Sequence, residues 1–192
     1  TDKEFRAEMK TEDASGSTGL ALCVRNGTLL VANAGDCRAV LSTRGRATDL
    51  CTDQRPSCST EMTRIEAAGG YVEDGYINGH LGVARAFGDF HIEGLKRGEG
   101  EPPGPLIVTP EVETHVMTRE DEFVIIACDG LWDVMSEQDA VNLVMQGWMK
   151  MKDAVAEETD SSTRCQVMSR MLVEEALERG STDNITVQVV LL

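Results

Sequence analysis

The run Phe123-Val124-Ile125-Ile126-Ala127-Cys128 constrains this chain more than any other stretch. It is apolar and rich in β-branched residues, it is bounded by Asp121-Glu122 on one side and Asp129-Gly130 on the other, and it reads as a buried strand. Such a strand delivers a carboxylate to its own end. Ser136 and the periodic segment after it open a helix, so Asp129 and Asp133 fall in a strand-to-helix turn, where side chains are exposed but held by a rigid scaffold. That setting suits a metal ligand.

The flanking sequence supplies partner strands. Leu20–Val24, Asn26-Gly27 and Thr28–Asn33 spell strand, type I′ turn, strand. Ala34-Gly35-Asp36 is a second turn, and Arg38–Ser42 a third strand that ends at Arg44-Gly45, giving an antiparallel meander. Val112, Thr114 and Val116 alternate as a half-buried strand, and Ile185 to Leu192 closes the chain as another, with Asp183 at its edge.

Helices are fewer. Thr1 to Phe5 resembles the last turns of a polar helix, and the domain is expected to start upstream of it. Ser59 or Thr60 can cap a short helix through Met62, Ile65 and Ala67, stopped by Gly69-Gly70. Two amphipathic helices, Glu137 to Lys152 and Ser162 to Arg179, flank the acidic stretch Glu157-Glu158-Thr159-Asp160, with Gly180 in the C′ position of the second. Their apolar stripes are core seams. From Tyr71 to Pro105, glycines, prolines and the turns Asp74-Gly75 and Asn78-Gly79 indicate a long, mostly irregular surface excursion. Antiparallel strands with inserted helices give an α+β class, and 192 residues at 41% hydrophobic content suit a single domain, 1–192.

Charge and cysteine usage narrow the function. Eighteen Lys and Arg against 33 Asp and Glu, a formal charge of −15, repel nucleic acid and anionic membrane surfaces, and no apolar run is long enough to span a bilayer. Neither partner class is expected. The six cysteines contain no C-x-x-C pair, and His80, His91 and His115 are scattered, which argues against zinc and for an intracellular, reducing compartment such as cytoplasm or nucleus.

Asp36, Asp129, Asp133 and Asp183 each stand in a tight turn beside a strand. Clustered carboxylates repel one another, and Mg²⁺, Mn²⁺ or Ca²⁺ with its demand for oxygen ligands would resolve the conflict. Each Asp alone is equally compatible with a turn residue that satisfies local backbone groups. Ser15-Gly16-Ser17-Thr18 lacks the helix and Lys of a phosphate-binding loop, and Arg38 and Arg85 can bind phosphate or pair with an acid.

Taken in order, Ser15-Gly16-Ser17-Thr18, Asn33-Ala34-Gly35-Asp36-Cys37-Arg38-Ala39, Asn78-Gly79-His80-Leu81, Ala84-Arg85-Ala86-Phe87-Gly88-Asp89, Ala127-Cys128-Asp129-Gly130-Leu131-Trp132-Asp133 and Gly180-Ser181-Thr182-Asp183-Asn184 resemble the successive signatures of the metal-dependent protein phosphatase family, type 2C. The resemblance runs from about Ser15 to the end of the chain and implies a four-layer αββα sandwich of two antiparallel sheets flanked by helices. It implies hydrolysis of phosphoserine and phosphothreonine in phosphoprotein substrates by a metal-bridging hydroxide. Two catalytic Mg²⁺ or Mn²⁺ ions would be held by Asp129 and Asp183, and a weaker third position by Asp36 and Asp133 with Asp129 shared. The segment from Tyr71 to about Asp89, within the irregular stretch of about 71–105, looks like the family's flap.

The family's earlier motifs, an Asp-Gly that bridges the metals and a phosphate-binding Arg, have no match here. The resemblance therefore implies that an upstream segment of the same domain completes the site, and that these 192 residues alone turn over weakly or not at all. Asp53-Gln54-Arg55-Pro56 stands where the family often shows Asp-His before Pro, and Gly19 and Cys37 stand where Ala and Ser are frequent. A non-catalytic regulatory or binding module is the alternative.

Overall fold

The computed structural model describes residues 2–10, 13–98, 101–154 and 161–192, with the side chains of 152–154 left aside. In chain order the elements are α1 (Asp2–Glu8), β1 (Gly16–Ser17), β2 (Gly19–Arg25), β3 (Thr28–Ala34), β4 (Arg38–Thr43), β5 (Arg46–Asp49), α2 (Ser59–Ala67), β6 (Val72–Glu73), β7 (Tyr76–Ile77) and β8 (Phe87–Gly88). They continue with β9 (Glu111–Val116), β10 (Asp121–Ala127), α3 (Asp129–Trp132), α4 (Glu137–Ala154), α5 (Ser161–Glu178) and β11 (Val187–Leu191). This is an α+β fold of antiparallel sheets, as the strand and helix patterns predict. No helix among the described residues is long and apolar enough to cross a membrane.

The chain divides into two compact units, one of Thr1–Ala21, Ala32–Asp36 and Asp53–Val112, the other of Leu22–Val31, Cys37–Thr52 and Glu113–Leu192. The second is built on a four-stranded sheet in the order β11-β10-β4-β5. β10 pairs antiparallel on both sides, with Ile125 opposite Val40 and Val189, and the register shifts between Asp121 and Phe123. Phe123, Ile125 and Ala127 join Val40 and Val189 in one core with Leu131, Trp132, Met168, Leu172 and Ala176, while Leu41 and Val124 are also fully buried. Burial of consecutive residues is why the run is uninterruptedly apolar rather than alternating. The stripes of α4 and α5 lie in this core, and the helices approach so closely at Gly147 that a Cβ there would press on Met171 Sδ.

Turn chemistry agrees with the sequence at two hairpins. Asn26 and Gly27 take φ of 50° and 72°, a type I′ pattern between β2 and β3. Arg44 and Gly45 do the same at 53° and 72°, so the chain does not stop there but returns as β5. Gly180 at φ 90° ends α5, with Ser181 N–H bonded to Ala176 O and Gly180 N–H to Leu177 O. The acidic stretch Glu157 to Asp160 lies outside the described residues.

In the first unit the described part of Tyr71 to Pro105 is mostly irregular, as the sequence predicts, but it is not all surface. β6 and β7 form a small hairpin, and Ile77, Ala84, Ala86, Leu95 and Leu106 are buried with Ile65 of α2 in a core of their own. β8 pairs with β1. Residues 99 and 100 of that segment lie outside the described residues. The α2 cap is also corrected, since Cys58 occupies the N-cap without a side-chain cap bond. Buried charge supplies the tether instead. Glu61, 3% exposed, receives Arg64 at 2.8 Å and Arg85 at 2.5 Å, and Arg64 donates onward to Ala84 O and Pro105 O, each at 2.9 Å. Burial alone would raise the Glu61 pKa, but hydrogen bonds from Arg85 and Arg64 hold it below the ordinary value.

Candidate metal centre

Asp129 is the first residue of α3, immediately after β10, with Cys128 as N-cap in extended conformation. The turn is anchored from below. Leu131 is fully buried and Trp132 nearly so, and the Trp132 indole N–H donates to Ala127 O at 3.0 Å. Arg38 covers that indole at 5.9 Å from the ring centroid and pairs with Glu137. Of the two roles open to Arg38, acid pairing is the one adopted. Arg85 pairs with Glu61 in the same way.

The loop carrying Asp183 crosses directly over this turn. Cys128 N–H donates to Thr186 O at 3.2 Å, the Cys128 thiol donates to Asn184 O at 3.1 Å, and Thr186 N–H donates to Cys128 Sγ at 3.2 Å. The Ser181 hydroxyl donates to Gly130 O at 2.7 Å. A Cβ at position 130 would collide with Asn184 O, so glycine is what allows the two backbones to touch. This clasp shortens the closing strand to Val187–Leu191 and brings Asp129 and Asp183 onto adjacent turns. Asp183 is exposed and Asp129 half-buried, and Asp183 Oδ1 accepts from Asn184 N–H at 2.6 Å. Asp133 caps α3, its N–H bonded to Asp129 O at 2.8 Å, and the spacing of four puts it on the same helical side as Asp129.

Asp36 belongs to the first unit and is buried, 8% exposed. Arg55 Nε lies 3.7 Å from Asp36 and 3.8 Å from Asp53. Gln54, 2% exposed, clamps the turn that carries Asp36. Its side chain accepts from Gly35 N–H at 2.8 Å and donates to Asn33 O at 3.2 Å, and its own N–H donates to Gly35 O at 3.0 Å. The substitution flagged in the sequence is thus a structural clamp, a role that residue spacing could not reveal.

Carboxylates on two clasped turns fit a hard divalent cation in donor chemistry, because oxygen ligands are what Mg²⁺ and Mn²⁺ require and the nearby Cys128 sulfur is engaged with backbone. Two carboxylates alone are fewer ligands than such an ion takes. Among the described residues, no group of three or more His, Cys, Asp or Glu side chains is arranged to hold a metal ion. His115 pairs with the buried Asp121. Burial would raise the Asp121 pKa, but the Thr118 N–H at 2.7 Å, His115 at 2.9 Å and the Thr43 hydroxyl at 2.7 Å overcome it and hold the group at about 2.

Comparison with known proteins follows the same residues. The chain matches the Protein phosphatase 2C family over residues 1–185. It is 50% identical over 180 residues to Probable protein phosphatase 2C 22 of Arabidopsis thaliana, covering 93% of this chain and 43% of that protein. It is also 50% identical over 177 residues to Probable protein phosphatase 2C 57 of Oryza sativa subsp. japonica, covering 92% and 45%. The chain spans about half the length of the curated relatives it matches. Among solved structures, a serine-threonine phosphatase 2C from Toxoplasma gondii superposes with a TM-score of 0.73 at 25% identity, over 99% of this chain and 63% of that one. A C. elegans sex determining protein gives a TM-score of 0.74 at 27% identity, over 93% and 40%. With half its residues identical to those of named relatives across nearly its whole length, this chain belongs to the protein phosphatase 2C family.

Proposed function

We propose that this chain forms part of a metal-dependent protein serine/threonine phosphatase acting on phosphoprotein substrates. The observation that carries the reading is the clasp between the Asp129-Gly130 turn and the Asp183-Asn184 loop, which holds two carboxylates on adjoining backbone. Proteins of this family are generally Mg²⁺- or Mn²⁺-dependent, and relatives named as phosphatases do not favour a purely non-catalytic module.

Asp129 and Asp183 would hold the catalytic metal pair, and Asp36 and Asp133 would serve a further, weaker position with Asp129. When bound, such ions activate water near neutral pH and neutralise charge on the phosphoryl group during in-line displacement. The chain's own contribution is orientation. Trp132 and Leu131 fix the axis of α3, so that the backbone carrying Asp129 is held in place. Cys128 and Ser181 keep the Asp183 loop from lifting. Gln54 sets the backbone around Asp36, and Arg55 balances its charge. An upstream segment of the same domain would complete the site. A reducing compartment is part of the proposal, supported by Cys51 and Cys128 acting as hydrogen-bonding thiols.

The test is hydrolysis of phosphoserine and phosphothreonine peptides with Mn²⁺ by the longest protein that contains this sequence, compared with Asp129→Ala and Asp183→Asn. Chelator-sensitive turnover that drops by about a thousandfold or more in both variants is expected, in keeping with loss of metal-based electrostatic stabilisation. Full activity in both variants would remove the metal assignment. Robust chelator-sensitive hydrolysis by residues 1–192 alone would contradict the need for an upstream segment.

A further inference from the structure

The β6–β7 hairpin of the first unit has two unlike faces. Its Asp74-Gly75 turn takes φ of 51° and 86°, a type I′ pattern, and sets Val72 opposite Ile77 and Glu73 opposite Tyr76. Side chains alternate along each strand, so Val72 and Ile77 share the inward face, where Ile77 is fully buried and Val72 packs on the same core. Glu73 and Tyr76 share the outward face. Tyr71 continues it, with Asn78 N–H donating to Tyr71 O at 2.9 Å and the Tyr71 hydroxyl to Asn78 O at 3.3 Å. The two tyrosines stand 54% and 48% exposed on a hairpin anchored from its other side. Glu73 lies two residues from Tyr71 along one strand and directly across from Tyr76, where Cβ atoms are about 5 Å apart. The flanks are bare, since the Tyr76 ring runs along Gly82 and the Glu73 carboxylate beside Gly79, and glycine at both places raises nothing over them. Neither Glu73 nor Asp74 pairs with a cation among the described residues.

We propose that this face docks an arginine side chain of a partner polypeptide, its guanidinium paired with Glu73 and flanked by the tyrosine rings. A cation over a tyrosine ring is attracted by the ring quadrupole, and a carboxylate beside it adds charge-assisted hydrogen bonds. A guanidinium serves both at once because it is planar and weakly hydrated, whereas an ammonium is compact and holds its water. An apolar partner would cover the Glu73 carboxylate without pairing it, at the cost of burying a charge. An anionic partner would meet Glu73 and Asp74 in a chain where acids outnumber bases 33 to 18. Tyrosine and arginine are also the residue types that carry much of the binding energy at protein interfaces. Nothing in this surface depends on the metal assignment.

The probe is a short fluorescent peptide of alternating arginine and serine, titrated by anisotropy into the longest protein containing this sequence. Lysine–serine and glutamine–serine peptides are the controls, and amide shifts at Val72 to Ile77 locate the contact. Salt at about 0.15 M screens diffuse attraction beyond roughly 8 Å, so that contact is what remains. Saturable binding is expected, tighter for arginine than for lysine by about threefold or more, with no binding of the glutamine peptide. Glu73→Gln and Tyr76→Ala should each weaken it by about threefold or more, and together by about tenfold. Tyr76→Phe, which keeps the ring, should hold the affinity, as should Glu178→Gln, an equal change of charge at an exposed acid of the second unit. Glu73 and Tyr76 are exposed, so thermal midpoints should stay put, and Glu73→Gln alone decides the matter if Tyr76→Ala loosens the hairpin. Equal binding of the lysine or glutamine peptide, unchanged affinity in Glu73→Gln, an equal loss in Glu178→Gln, shifts elsewhere, or no saturable binding would each overturn the proposal.

Discussion

The Asp129 turn and the stretch from Tyr71 to Thr109 are both held in place from beneath, but by different forces. The first is fixed by apolar burial of Leu131 and Trp132 and by a steric clasp at Gly130. The second rests on a small apolar core plus one buried carboxylate, Glu61, shared by Arg64 and Arg85, with Arg64 and Arg85 reaching the backbone at Ala84, Pro105 and Thr109. Packing fixes positions to fractions of an ångström and is indifferent to pH, whereas a buried ion cluster specifies geometry but fails as a unit when one member is lost. A turn that must present a ligand is built the first way. A segment with little regular structure is tied down the second way.

That contrast can be broken in order of effect. Glu61→Ala leaves two half-buried guanidinium groups without their acid, and should cost about 3 kcal/mol in denaturant unfolding, the low end for a broken buried pair, with protection of Ala84 and Ala86 amides lost first. An unchanged midpoint would show that the apolar core suffices. Gly130→Ala forces a methyl against Asn184 O and should cost roughly 2–3 kcal/mol, with the loss insensitive to salt and pH. If instead it is neutral, the clasp is not tight.

Asp121→Asn probes charge within the unit that carries Asp129. The folded carboxyl is held at about 2, below its ordinary 3.8, so its stabilisation is present above the unfolded value and is lost as pH falls through the folded one. The variant should be less stable by roughly 2 kcal/mol at neutral pH, with the gap to the unsubstituted protein closing between pH 4 and 2, by the same values. A gap that persists at pH 2 would assign the effect to packing. The smallest effect is expected from Cys128→Ala, about 1 kcal/mol for two sulfur hydrogen bonds.

The same contrast governs what the sequence makes legible. The Phe123–Asp129 strand and turn, the Asn26-Gly27 hairpin and the Gly180 stop are written in adjacent residues, through β-branching, φ preference and carboxylate placement. The core of the first unit is not, because Ile65, Ile77, Leu95 and Leu106 follow no period and meet only through tertiary contact. β5 is a polar edge strand whose one local signal is the Arg44-Gly45 turn. For the site, the acids were visible by position, while their supports were not: Gln54 reaches back to Gly35, and Ser181 to Gly130, across distances no motif spacing encodes.

Titration of Mn²⁺ into the longest protein containing this sequence, followed by electron paramagnetic resonance of the free ion, tests the account most directly. Asp129→Asn should weaken binding by at least about tenfold, since it removes a ligand outright rather than a supporting contact, while Asp121→Asn, folded at neutral pH, leaves it unchanged. Equal Mn²⁺ binding by the Asp129→Asn protein would contradict the claim that this strand ends in a metal ligand.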